Sequence, residues 1–108
     1  MTKAKERFQI QAEFCKAMAH PVRLEVIDLL KQGDATVTEL ADAVGVSQAN
    51  ISQHLAVLRA RGVVRAVRCG NSIVYSLANR KIVDACVLIR EILTEQVGRQ
   101  QAAITARA

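Results

Sequence analysis

Thr38-Glu39-Leu40-Ala41-Asp42-Ala43-Val44-Gly45-Val46-Ser47-Gln48-Ala49-Asn50-Ile51-Ser52-Gln53-His54-Leu55-Ala56-Val57-Leu58 decides the fold. The stretch reads as a short helix, a tight turn at Gly45 and a second helix opened by Ser47, which is the order of a helix-turn-helix. Leu40, Ala41 and Val44 share one face of the first helix, and Ile51, Leu55 and Leu58 recur at helical spacing on the second. Both faces are expected to bury against one core. Left outward on the second helix are Gln48, Asn50, Ser52, Gln53 and His54, side chains that hydrogen-bond base edges and phosphates, with no acid among them. Thr38 and Ser47 are expected to cap the two helices and to join this nucleic-acid-facing set.

Charge follows the same geography. No Asp or Glu occurs between Asp42 and Asp84, whereas Arg59, Arg61, Arg65, Arg68, Arg80 and Lys81 all fall in that span. The chain holds 15 Lys and Arg against 10 Asp and Glu, a formal net charge of +5. A polyanion is the partner this implies, because neutralised phosphates release counterions. Aromatic residues make up only 3% of the chain, too few for the stacking platforms that hold single strands, so duplex DNA is favoured. A chain of 108 residues is expected to form one domain spanning residues 1–108. No apolar run reaches the length of a membrane span, and the start Met-Thr-Lys-Ala-Lys-Glu-Arg-Phe has no secretory core, so a cytoplasmic protein with reduced thiols is expected.

Outward from the central stretch, Lys3 to Met18 predicts an amphipathic helix with Phe8, Ala12, Cys15 and Met18 near one stripe. Ala19-His20-Pro21 breaks it and opens a second helix, carrying Val22, Val26, Ile27, Leu29 and Leu30 and ending before Gly33. Gly62 closes the fourth helix. Val63–Cys69 and Ser72–Leu77 are β-branched runs joined by Gly70-Asn71, the signal of a tight hairpin. Asn79 then caps a last helix expected to run to about Ala103, with Ile82, Cys86, Ile89, Leu93 and Val97 spaced as a seam. The order of four helices, two strands and a helix predicts a mainly α winged helix-turn-helix with the hairpin as its wing. Arg65, Arg68, Asn71 and Ser72 on the wing can reach phosphates or the minor groove, Arg68 foremost. The seam finds too little of its own subunit to cover it, which predicts a homodimer through the terminal helices on an inverted-repeat operator.

Three groups of residues also carry a family resemblance. They are Lys16-Ala17-Met18-Ala19-His20-Pro21-Val22-Arg23-Leu24, then Glu39-Leu40-Ala41 with Val46-Ser47-Gln48-Ala49-Asn50-Ile51-Ser52-Gln53-His54-Leu55, then Val74-Tyr75-Ser76-Leu77. Together they resemble the ArsR/SmtB family of winged-helix repressors over most of the chain. The resemblance implies a homodimeric repressor that leaves its operator when an inducer, commonly a metal ion or a thiol-reactive species, binds. The metal sites of that family are not matched. Thr36 and Thr38 stand where arsenic- and cadmium-type relatives carry a Cys-x-Cys pair. Asp84, Cys86, Val97 and Gln100 stand at the last-helix positions of the zinc type, where valine cannot ligate and glutamine ligates poorly. Sulfur-responsive relatives place one cysteine on the second helix and one on the last, and here the former region holds Asp28.

Three thiols remain, Cys15, Cys69 and Cys86. Cys15 and Cys86 either meet at the junction of the first and last helices as a sensing pair or fill it as small apolar residues. Cys69 is expected at the wing tip beside Arg68, where it is either a reactive thiolate or a turn residue without consequence. Two functional readings follow: a repressor released by an oxidant, a persulfide or polysulfide, or a thiophilic metalloid, and an inducer-independent DNA-binding regulator with structural cysteines. His20 reads as a helix-start residue and His54 as a DNA-backbone contact. Neither a Cys-x-x-Cys, nor a Gly-rich phosphate loop, nor a Gly-x-Ser-x-Gly is present, so no enzyme, cofactor or resident metal is expected.

Overall fold

A computed structural model describes residues 2–98 of the chain. Helix α1 covers Lys3–Met18 and α2 covers Pro21–Leu30. A two-residue strand β1, Ala35–Thr36, precedes α3, Val37–Val44, and α4, Gln48–Ala60. Strands β2, Val64–Cys69, and β3, Ser72–Leu77, form the hairpin, and α5 runs over Lys81–Val97. The winged helix-turn-helix expected from the sequence is therefore the fold. The part of the expected last helix beyond residue 98, with Gln100, lies outside the described residues.

Each boundary has a local cause. Pro21 sits in the first turn of α2, where its missing N–H costs nothing, and His20 Nδ1 accepts from the Val22 N–H at 3.1 Å as the N-cap. Gly45 ends α3 at φ 83°, a left-handed position that a side chain would strain, and so permits the sharp entry into α4. In the hairpin Gly70 has φ 63° and Asn71 has no positive φ, the pattern of a type II′ turn whose twist matches the strands. Cys69 pairs with Ser72 across that turn, and the register continues to Val64 opposite Leu77.

Two expectations at helix starts are corrected. Thr38 does not cap α3; it lies inside the first turn, exposed, and Thr36 is the N-cap. The Thr36 hydroxyl accepts from the Glu39 N–H at 3.2 Å, and the Glu39 carboxylate accepts from the Thr36 N–H at 2.9 Å. This reciprocal capping box satisfies two donors, which a cap at Thr38 would leave bare. At α5 the Asn79 side chain does accept from the Lys81 N–H at 2.9 Å, but Arg80 is the residue at the cap position. Strand β1 was not foreseen. It pairs antiparallel with β3, Ala35 opposite Tyr75 and Thr36 opposite Val74, so the sheet order is β1-β3-β2 with β3 in the centre.

One core joins these elements. Val26, Ile27 and Leu30 of α2, Leu40 and Ala41 of α3, Ile51, Leu55 and Leu58 of α4, Val63 and Val64, and Ile82 of α5 are buried together. Helix α1 packs on α2 and α4, with Ala17 buried and the Glu13 carboxylate 3.0 Å from Arg61 of α4. Helix α5 touches the core through Ile82 and Cys86 and otherwise stands off it. Val87, Leu88, Ile89, Ile92 and Leu93 are exposed along its length, as are Phe8 and Ile10 on α1.

Two substitutions separate cap from bystander. Thr36→Ala is expected to cost about 1 kcal/mol of folding stability and Thr38→Ala close to nothing, measured by urea denaturation. Leu55→Ala empties a fully buried site and is expected to cost about 2–5 kcal/mol in the same assay.

Candidate nucleic-acid interface

The inward stripe of α4 fixes what faces outward. With Ile51, Leu55 and Leu58 fully buried, Gln48, Asn50, Ser52 and Gln53 are exposed on the opposite side. Ser47 caps the helix, its hydroxyl accepting from the Asn50 N–H at 3.1 Å. No acidic residue lies in α4, and its exposed N-terminal turn carries the positive end of the helix dipole. The surface is thus one of amide and hydroxyl groups in a positive local field, suited to base edges and phosphate oxygens.

The wing supplies a second positive edge. Arg65, Arg68, Asn71 and Ser72 are all exposed. Arg65 is tethered at the root, its guanidinium donating to the Ala78 carbonyl at 3.2 Å. Arg68 stands one residue from the turn, and the ion pairs among the described residues use other cations: Lys31 and Arg90 on Asp28, Arg61 on Glu13. Arg61 and Arg80, counted in the acid-free span, are turned to structural work; Arg80 donates to the Lys31 carbonyl at 3.3 Å.

His54 departs from the position expected of it. It is half-buried on the flank of α4 that meets α2, its ring centroid 4.4 Å from that of His20 at a 43° tilt. Arg23 Nη1 lies 3.4 Å from His54 Nδ1, and because a guanidinium can only donate, that nitrogen is the acceptor. Desolvation, then the neighbouring His20 and Arg23, hold the His54 imidazole below its ordinary 6.5. No local pattern signals this cluster; His20 and His54 are brought together by the packing of α2 against α4.

The thiols fall in three environments. Cys15 on α1 and Cys69 at the end of β2 are exposed, Cys86 on α5 is half-buried, and all three are free. Cys86 lines a cavity of about 230 Å³ between α2 and α5, together with Leu24, Ile27, Asp28, Arg90 and Leu93. Asp28, at the second-helix position noted above, therefore shares that cavity with Cys86. Burial pushes the Cys86 thiol up; Arg90 opposes the rise and Asp28 adds to it. Among the described residues no three His, Cys, Asp or Glu side chains gather as a metal site.

A helix-turn-helix with an acid-free exposed second helix, flanked by a basic hairpin, defines a winged-helix DNA-binding protein. Residues 20–66 match the family model described as bacterial regulatory protein, arsR family. The chain is 41% identical over 87 residues to the uncharacterized HTH-type transcriptional regulator Rv0081 of Mycobacterium tuberculosis, covering 80% of this chain and 76% of that one. The crystal structure of Rv0081 superimposes with a TM-score of 0.79 at 38% identity, covering 86% of this chain and 94% of that chain. Nodulation protein NolR of Rhizobium meliloti is 39% identical over 93 residues, 86% of this chain and 73% of NolR. The homodimeric winged helix-turn-helix DNA-binding domain of Mb0332 from Mycobacterium bovis, described as a possible ArsR-family regulator, gives a TM-score of 0.81 at 27% identity, with 94% of each chain covered. The protein belongs to the ArsR family of bacterial transcriptional regulators, which act by binding DNA rather than by catalysis.

Exposure and desolvation set an order of thiol reactivity. At neutral pH, iodoacetamide is expected to alkylate Cys69 well before Cys86, as read by peptide mass spectrometry of a time course.

Proposed function

We propose that the protein is a sequence-specific transcriptional repressor that binds an inverted-repeat operator as a homodimer, with residues 1–108 acting as one DNA-binding and dimerisation domain. The observation that carries this reading is the outward face of α4, where Gln48, Asn50, Ser52 and Gln53 stand exposed with no acid beside them. In the proposed complex these four read bases and neighbouring phosphates, Ser47 and Thr38 lie near the backbone, and Arg65, Arg68, Asn71 and Ser72 of the wing hold flanking phosphates.

Dimerisation is supported by the two apolar surfaces that the fold leaves uncovered. Leu88, Ile89 and Ile92 of α5 and Phe8 and Ile10 of α1 are each more than half exposed, a combination that water disfavours and a second copy would bury. A two-fold arrangement of that kind sets two α4 helices about one turn of DNA apart. The homodimeric Mb0332 domain is consistent with it.

Release from the operator is proposed to run through thiol chemistry, by an oxidant, a persulfide or polysulfide, or a thiophilic metalloid. Cys69 suits this role by position: it is exposed beside Arg68, where an added charge or bulk would meet phosphate. Cys15 and Cys86 on the terminal helices are the other sensing positions. A second reading is favoured by the environment of Cys86. A desolvated thiol held in its protonated form is a poor nucleophile, which suits a packing residue and inducer-independent binding.

Operator binding by fluorescence anisotropy, with DNA from upstream of the protein's own gene against random duplex and RNA, tests the reading. Gln48→Ala and Asn50→Ala are each expected to lose about 1–3 kcal/mol and to relax preference at one position. Arg68→Ala should weaken all duplexes alike and flatten the salt dependence. Equal affinity for all three nucleic acids would overturn the repressor assignment. Adding polysulfide or arsenite separates the two readings of the thiols: release that is lost in Cys69→Ser, Cys15→Ser or Cys86→Ser supports the switch, and unchanged binding in the wild type supports constitutive repression.

A further inference from the structure

The contact between α2 and the flank of α4 is polar and titratable, unlike the apolar core beside it. His20 ends the loop before α2 with its Nδ1 lone pair committed to the Val22 N–H at 3.1 Å. His54 offers its own Nδ1 lone pair to Arg23 at 3.4 Å, and the two rings lie 4.4 Å apart. Arg23 Nε is buried without a hydrogen-bond partner, so the guanidinium is held in place chiefly through its Nη1 end. Both acceptor nitrogens work only while unprotonated. A proton on His54 Nδ1 would turn an acceptor into a donor facing a guanidinium, and one on His20 Nδ1 would remove the cap of α2 at the positive end of the helix dipole.

We propose that His20, Arg23 and His54 form a proton-sensitive clamp that positions α4 on α2, engaged while the His54 imidazole is neutral, so that operator binding weakens as the solution is acidified. The proposal rests on α4 being the DNA-reading helix. It gives His54 a positioning role in place of direct DNA contact.

The charged groups on the other elements packed against α4 do not relieve the cluster. On α1, Glu13 and Lys16 both line the groove that Arg23 lines, and the Glu13 carboxylate there is paired with Arg61. On α3, Glu39 is engaged in its capping box and Asp42 is exposed to solvent. On β2, Arg65 donates to the Ala78 carbonyl. Among the described residues no carboxylate is bonded to either ring.

The direction of the effect follows from linkage. With His54 held below its ordinary 6.5 in the folded protein, the unfolded or undocked chain binds the proton more readily. The stabilisation is complete above that ordinary value and is lost as pH falls from it toward the folded value. His54 is the histidine whose neutral form the fold favours, so it carries the pH dependence.

The test is anisotropy of wild type, His54→Gln and His20→Asn on the operator at about pH 7.5 and about pH 5.5, at constant ionic strength. Gln keeps an acceptor and Asn keeps the N-cap, and neither titrates. Wild-type affinity is expected to fall by roughly threefold or more on acidification, and the fall to be smaller in each variant. A rise in affinity, the signature of a histidine cation on phosphate, would overturn the clamp, as would equal pH slopes in wild type and variants. The melting temperature without DNA over the same range gives an independent reading: it should drop more steeply for wild type than for His54→Gln. Parallel melting slopes would overturn the clamp even if the protein proved to have no operator, and absence of any sequence preference at about pH 7.5 would count against the repressor reading alone.

Discussion

Everything on the exposed face of α4 depends on the rotation of that helix about its own axis, and that rotation is set by three side chains. Ile51, Leu55 and Leu58 are fully buried against α2 and α3. One residue of slip turns a helix by about 100°, which would bring Ser52 and Arg59 into the core. Burying such groups without partners costs a few kcal/mol each, so the alternative rotations are excluded by desolvation rather than by any feature of the exposed face. Specific polar presentation outward is thus a by-product of apolar spacing inward.

The same division explains what could be read from the chain directly. Periodicity and turn chemistry placed α1, α2, the helix-turn-helix and both hairpin strands within a residue or so, because those signals are local. The start of α3 was misjudged between two threonines, although the spacing that decides it was present: Thr36 stands three residues before Glu39, and Thr38 does not. Strand β1 had no signal of its own, since two residues carry no alternation; it exists because β3 offers it an edge. The half-burial of His54 has no local signal because its neighbours, His20 and Arg23, come from α2 and the loop before it, and packing between helices is invisible to a local pattern.

Charge distribution shows a similar gap between composition and geometry. Between Asp42 and Asp84 the chain holds no acid and the cations Arg59, Arg61, Arg65, Arg68, Arg80 and Lys81. In the fold, Arg61 neutralises Glu13 and Arg80 holds the Lys31 carbonyl, so part of that charge secures α1 to α4 and the start of α5 to the end of α2. Arg68 differs in place, one residue from the wing turn, rather than in the sign it shares with the others.

Thr36 belongs to two elements at once. Its backbone is aligned with Val74 on the central strand, while its hydroxyl holds the first turn of α3. The wing and the helix-turn-helix are consequently hinged on a single residue rather than joined by slack chain. The central strand and the first turn of α3 therefore share a residue, with no joint of free chain between them.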